Sequence, residues 1–235
     1  MYKALDLTGI DPIRLRGVRQ ALGVQAFGMN EFELPPGGIS KKHDETATGQ
    51  EEVYVILGGH GEMTIDDATM VLRADRYVRV LPGSVRQLRA GEDGLRYLCV
   101  GASPGGYEPS LGEPGLHEPD RTGGCTELGA TEVPAVLVRR VRHALGVSAF
   151  GVTHFHLPPH VWHKRHDEVA TAQEELYLVL DGDGVMTVDE DAVELRPGRY
   201  VLVQPDAVRQ IQAGERGIGF VCFGAPAGRG YEPPW

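Results

Sequence analysis

Basic charge is scarce in this chain, and so is sulfur. Twenty-three Lys and Arg stand against 33 Asp and Glu, for a net charge of −10. The basic residues are scattered rather than gathered into a stripe, so nucleic acid and anionic membrane surfaces are excluded as partners. The three cysteines include no C-x-x-C pair, which rules out a thiolate metal site, a redox pair and a disulfide framework. Cys99 and Cys222 sit in the apolar runs RYLCVGA and GFVCFGA and read as small core residues, while Cys125 stands alone in a linker. No apolar run approaches membrane length, and the opening MYKALDLTGIDPIRLRG lacks the apolar stretch of a secretory signal, so a cytoplasmic protein is expected. A phosphate-binding loop, a G-x-S-x-G elbow and a dinucleotide fingerprint are also missing.

What the chain has is a repeat. The text RxVRxALGVxAFG…FxLPP…HDExATxQEExYxxLxGxG…RYVxV…VRQ runs from Arg16 to Gln87 and recurs without a gap from Arg139 to Gln210. Roughly half of the aligned positions are identical, far beyond chance for two β-rich stretches. The 235 residues suit two domains of about 110 residues each. The periodicity breaks in the Gly-, Pro- and acid-rich stretch Gly112 to Thr131, which reads as the linker and places the boundary near residue 120, giving 1–120 and 121–235. Thirty-two Gly and 16 Pro punctuate mostly period-two apolar patterns, the signature of many short strands in a sandwich or barrel. EEVYVILGGHGEMTIDD reads as strand, glycine turn and strand; RGVRQALGV and RRVRHALGV each read as one short helix or an extended arm. The matching ends GGYEP and RGYEPPW point to units that pack together.

The segment LPPGGISKKHDETATGQEEVYVILGG resembles the first signature of the cupin superfamily, G-x5-H-x-H-x(3,4)-E-x6-G. Gly37 leads by five residues to His43, and Glu52 by six to Gly59; in the second copy Glu175 leads by six to Gly182, with His166 in place. LRADRYVRVLPGSVRQ and LRPGRYVLVQPDAVRQ resemble the second signature, G-x5-P-x-G-x2-H, with Gly83 and Gly198 among its glycines. The resemblance covers nearly the whole chain twice. It implies an all-β protein of two tandem double-stranded β-helix (jelly-roll) barrels, a bicupin, each with a pocket in its mouth.

In that family the pocket usually holds a divalent metal through two His, a Glu and a third His. Both copies depart from the set in the same way. The first His is His43 or His166, the second position holds Glu45 or Glu168, the spacer to Glu52 or Glu175 is long, and the last His is Arg86 or Arg209. A rival register makes His43 and His166 the second ligand, with Lys41 and Lys164 in the first place. A guanidinium has no lone pair for a metal. If Arg86 and Arg209 point inward, their natural partners are Glu52 and Glu175, in a fork-shaped buried ion pair.

Three readings stay open from these residues. Arg86 and Arg209, with Tyr54 and Tyr177 turned inward by the same alternation as the glutamates, would bind a small, anionic molecule without metal. Alternatively His166, Glu168, Glu175 and the nearby His163, with His43, Glu45 and Glu52 as weaker counterparts, hold Fe, Mn, Ni, Zn or Cu in a dioxygenase or isomerase centred on the second copy. The third reading is a structural or partner-binding protein whose pockets are filled by their own side chains. His154 and His156 alternate on one strand face and are expected to line a solvated or interdomain surface. A homo-oligomer stays open.

Overall fold

The computed structural model describes residues 2–6, 15–105, 125–129 and 138–228, with the side chains of 4–6 and 125–129 left aside. The GYEP-containing ends and most of the expected linker lie outside these residues. The first half carries β1 (Tyr2–Asp6), β2 (Leu15–Arg16), α1 (Val18–Leu22), β3 (Gly28–Leu34), β4 (Glu51–Ile65), β5 (Ala68–Arg73), β6 (Arg76–Val80) and β7 (Arg86–Ala102). The second carries β8 (Cys125–Gly129), β9 (Val138–Arg139), α2 (Val141–Leu145), β10 (Gly151–Leu157), β11 (Gln173–Val188), β12 (Asp191–Leu195), β13 (Arg199–Val203) and β14 (Arg209–Pro226). Among the described residues the protein is all-β apart from two one-turn helices. Each helix ends on a glycine, Gly23 or Gly146, in the left-handed conformation, which a residue without Cβ adopts at little cost.

Two seven-stranded antiparallel sheets result, in the orders β2-β3-β7-β4-β6-β8 and β9-β10-β14-β11-β13-β1, with β5 and β12 paired to β4 and β11. The terminal strands are exchanged. β1 leaves its own half to pair with β13, Tyr2 against Val203, and β8 pairs with β6, Cys125 against Val80. The two pairings have the same register 123 residues apart, although the arm sequences YKALD and CTELG share only a leucine. Cys125 therefore opens a strand instead of standing in an irregular linker; no local apolar alternation marks the arm, because its partner lies in the other half.

The long strands explain their own sequence. Along β4, Tyr54 and Ile56 enter a core enclosed by the first half, while Val53 and Val55 enter a second core built from both halves. β11 divides in the same way, Tyr177 and Val179 inward against Leu176 and Leu178 between the halves. With both faces buried, the alternation is hidden in a continuous apolar run. The shared core includes Phe27 and Phe150 at 6.0 Å and Phe27 and Phe223 at 6.4 Å between ring centroids. Burying each such ring contributes on the order of 2–3 kcal/mol.

The glycines expected to form a turn in EEVYVILGGHGEMTIDD instead bend one unbroken strand. β4 shifts register between Ile56 and Gly58 and again between Gly59 and Gly61, and β11 does so around Asp181 to Gly184. A Cβ on Gly59 would fall on the carbonyl oxygen of Gly94, and one on Gly61 on that of Arg89. Glycine here permits a bulge and a close approach of neighbouring backbone.

Candidate functional site

The inner face of each half carries the same cluster, assembled by strand register. Glu52 and Tyr54 alternate onto one face of β4; on β7 the start of the strand supplies Arg86, and Cys99 stands on the rung opposite Tyr54. The loop before β4 is tied across the opening by a two-way backbone bridge, His43 N–H to Arg86 O at 3.2 Å and Arg86 N–H to His43 O at 2.9 Å. The second half repeats this with His166 and Arg209 at 3.1 and 2.9 Å. The bridge brings His43 or His166 to the cluster and leaves Lys41 and Lys164 exposed.

Arg86 and Arg209 are fully buried and do face the glutamates. Arg86 Nε donates to Glu52 Oε2 at 3.0 Å and its Nη2 donates to the same oxygen. Tyr54 Oη donates to that oxygen at 2.6 Å, and Arg86 Nη1 donates to Ser84 O at 3.1 Å. In the second half Arg209 Nε and Nη2 reach Glu175 Oε2 at 3.0 and 2.5 Å, Tyr177 Oη donates to it at 2.5 Å, and Nη1 donates to Ala207 O at 2.9 Å. The expected fork on two carboxylate oxygens is thus a convergence on one. In the second half the other oxygen, Oε1, is turned to Cys222 Sγ at 3.4 Å.

The remaining members sit nearer solvent. His43 Nδ1 bonds Lys41 O at 3.0 Å and His166 Nδ1 bonds Lys164 O at 2.9 Å, so each imidazole turns Nε2 to the cluster. His166 Nε2 lies 3.4 Å from Glu175 Oε2, against 3.9 Å for His43 and Glu52. Glu45 and Glu168 each accept a short hydrogen bond from Thr48 or Thr171 Oγ1. Ligand-capable atoms of His43, Glu45 and Glu52, and those of His166, Glu168 and Glu175, fall within 4.8 Å of one another. His163 stands outside that group, its ring edge-on to His166 at 5.4 Å and to Phe155 at 4.8 Å.

Electrostatics follow from the burial. Desolvation would raise the Glu175 carboxyl, but hydrogen bonding from His166 and the Arg209 charge outweigh it and hold it at about 2. Burial pulls Arg209 down and the Glu175 charge raises it further, so the guanidinium stays protonated; Arg86 behaves the same way against Glu52. Burial lowers His166, yet its hydrogen bond to Glu175 and that carboxylate's charge raise it above the ordinary histidine value. His163, half-buried and beside His166, is pushed down to about 4 by desolvation and the neighbouring imidazole. Burial lifts the Cys99 and Cys222 thiols well above their usual range, with the neighbouring carboxylate adding to the effect.

Several participants were not legible as such. Cys99 and Cys222, read as core, line the cluster; the rungs Tyr54–Cys99 and Tyr177–Cys222 are the signal that places them there. The residue before each inward glutamate works on the opposite face. Glu51 Oε1 accepts the Ser148 N–H at 2.5 Å and the Ala149 N–H, and its Oε2 accepts Arg79 Nε at 2.7 Å. Glu174 Oε1 accepts the Gln25 and Ala26 N–H groups, both at 2.6 Å. Each half thereby clasps the backbone of the other, and a Glu-Glu doublet on a strand is the sequence signal for two such opposed roles. His154 and His156 separate: His154 is buried between the halves with Nδ1 3.1 Å from Tyr77 Oη, while His156 is exposed.

No family model matches the chain, and no curated protein matches it in sequence. Solved structures do. Protein Ylba from E. coli superposes with a TM-score of 0.72 at 14% identity over 95% of this chain and 90% of that one. A point mutant of Bacillus subtilis oxalate decarboxylase OxdC gives 0.71 at 13% over 96% and 78%, and a cupin 2 conserved barrel domain protein from Leptotrichia buccalis gives 0.66 at 12% over 95% and 96%. The fold is that of the cupin barrels.

A cupin metal centre can be tested against the donors present. One imidazole with Nε2 turned inward and two carboxylates are candidate ligands for a divalent cation. The fourth corner is a guanidinium, which cannot ligate. The glutamate oxygen facing it already accepts three hydrogen bonds. The set fits a four-ligand centre at three corners and contradicts it at the fourth.

Proposed function

We propose that the chain is a cytoplasmic bicupin, two barrels joined in tandem by internal duplication with the division near residue 120, that binds a small polar molecule at each inward cluster. In this reading the Glu52–Arg86 and Glu175–Arg209 pairs stand where a metal stands in relatives such as oxalate decarboxylase, whose Mn(II) centres are known. One observation carries it: Nε and Nη2 of the arginine and the tyrosine hydroxyl all converge on the single carboxylate oxygen that a metal would need.

The same geometry bears on the ligand. The guanidinium is turned onto its glutamate, and the second carboxylate, Glu45 or Glu168, leaves two negative groups against one positive. A molecule that donates hydrogen bonds, an alcohol or an ammonium, fits this balance better than the anion that the arginines suggest on their own. The accessible acceptor is the Glu168 carboxylate, since His166 Nε2 is engaged with Glu175. A thermal-shift panel of polyols, amines and carboxylates tests the reading. Stabilisation by hydrogen-bond donors that Glu168→Gln abolishes supports it, and stabilisation by carboxylates alone contradicts it.

The second reading, a metal-dependent dioxygenase or isomerase, is favoured by the converging His166, Glu168 and Glu175 atoms and by the tighter His–Glu contact of the second half. Stoichiometric metal that Glu175→Ala removes would select it.

A further inference from the structure

Away from the two inward clusters, a cavity of about 380 Å³ opens between the halves. Where its two walls are equivalent it is apolar: Leu57 of β4 and Leu180 of β11 occupy matching positions and both are half-buried against the shared core. Where the walls differ it is charged. Arg96 faces Gly58 across the β4–β7 ladder, and at the matching rung of β11–β14 the order is reversed, Asp181 facing Gly219. The halves thus each contribute one side chain to the lining, of opposite sign. A Cβ on Gly219 would meet the Asp181 carboxylate, so that exposed side chain lies over the glycine. Asp75, whose counterpart is Gly198, adds a second carboxylate to the lining. Among the described residues, no ion pair joins Arg96 to Asp181 or to Asp75.

Opposite charges on the lining of one cavity, not paired with each other although the Glu31 carboxylate lies within range of Arg96, form a complementary surface for a molecule that carries both. We propose that this cavity is a second ligand site, which takes a small zwitterion with an apolar body, its carboxylate on Arg96, its ammonium on Asp181 and its body between Leu57 and Leu180. The extra carboxylate of Asp75 makes the cavity hold the ammonium more strongly than the carboxylate.

The volume suits a molecule of amino-acid size, so the probes are leucine, its cation analogue leucinamide and its anion analogue 4-methylpentanoate, titrated calorimetrically into the full chain. Leucine is expected to bind most tightly, leucinamide more weakly and 4-methylpentanoate not measurably. Asp181→Asn should weaken leucine by about tenfold or more, and Arg96→Gln should bring leucine down to the level of leucinamide. Both sites are exposed, so melting temperatures should stay at the wild-type value. His166→Ala, in the inward cluster, should leave leucine binding unchanged. The proposal is overturned by no saturable binding of leucine or leucinamide up to about 10 mM, by binding that ignores Asp181→Asn, or by binding that His166→Ala removes.

Discussion

The inward clusters and the surface between the halves differ in how closely the two halves agree. Inside, the two halves share one framework of bonds: tyrosine and arginine on one glutamate oxygen, arginine on a loop carbonyl, threonine on the second glutamate, histidine on a lysine carbonyl. Between the halves, equivalent positions diverge. Glu31 is buried under Tyr200 Oη at 3.1 Å and paired with Arg16 at 2.9 Å, whereas its counterpart His154 meets Tyr77. Glu51 has Arg79 as well as the backbone it clasps, and Arg79 has Leu202 as its counterpart. A buried network with every member satisfied tolerates little change, because removing one partner strands the rest. The interface between two unequal halves has more than one solution, and each side has taken its own.

Opening the inward pair has the largest expected effect. Arg209→Met should strand Glu175 and cost about 3–5 kcal/mol in urea denaturation, and Arg209→Met with Glu175→Leu should recover most of it. Arg86→Met should behave alike in the first half. A loss below about 1 kcal/mol in the single variant would show that the pair is solvated.

The interface should respond unequally. Glu51→Ala removes the acceptor of two backbone N–H groups and also strands Arg79, for a loss of about 2–4 kcal/mol; Glu174→Ala removes the acceptor alone, for about 1–3 kcal/mol. Equal losses would mean that Arg79 is a bystander.

A smaller effect appears with pH. Burial and the Arg139 charge hold His154 down at about 4 from an ordinary 6.5. The unfolded chain therefore binds that proton first, and stability falls as pH drops from about 6.5 to 4, by on the order of 2–3 kcal/mol from this residue. His163 adds to the same limb, and Glu175, held at about 2 from 4.5, adds a further loss below pH 4.5. His166 works the other way: raised in the fold, its contribution is present below 6.5 and is lost as pH rises through its folded value. His154→Gln should make the limb between pH 6.5 and 4 shallower, with His163 supplying the remainder, and leave the Glu175 part below 4 intact. A limb unchanged in that variant would place the titration elsewhere.

Much of this was readable from residues. The glutamate–arginine pairing followed from one guanidinium in a ligand position, and Tyr54 and Tyr177 from alternation. The exchanged arms were invisible, because β1 and β8 share almost no sequence and each finds its partner in the other half, far along the chain. Gly59 and Gly61 read as a turn because a bulge and a turn require the same residue; only the approach of Gly94 and Arg89 separates them. Cys99 and Cys222 hid in apolar runs whose two faces are both buried, so that no hydropathy pattern marks the one that meets the carboxylate.

In the proposed reading an arginine–glutamate pair occupies the place that a metal takes in oxalate decarboxylase. Metal analysis by mass spectrometry, on wild-type protein purified without chelator or affinity tag and soaked in Mn, Fe, Ni, Cu and Zn, addresses it directly, with Glu175→Ala alongside. The account predicts well below about 0.1 equivalent per cluster in both. About one equivalent in wild type that Glu175→Ala loses would contradict it and show that His166, Glu168 and Glu175 hold a cation despite Arg209.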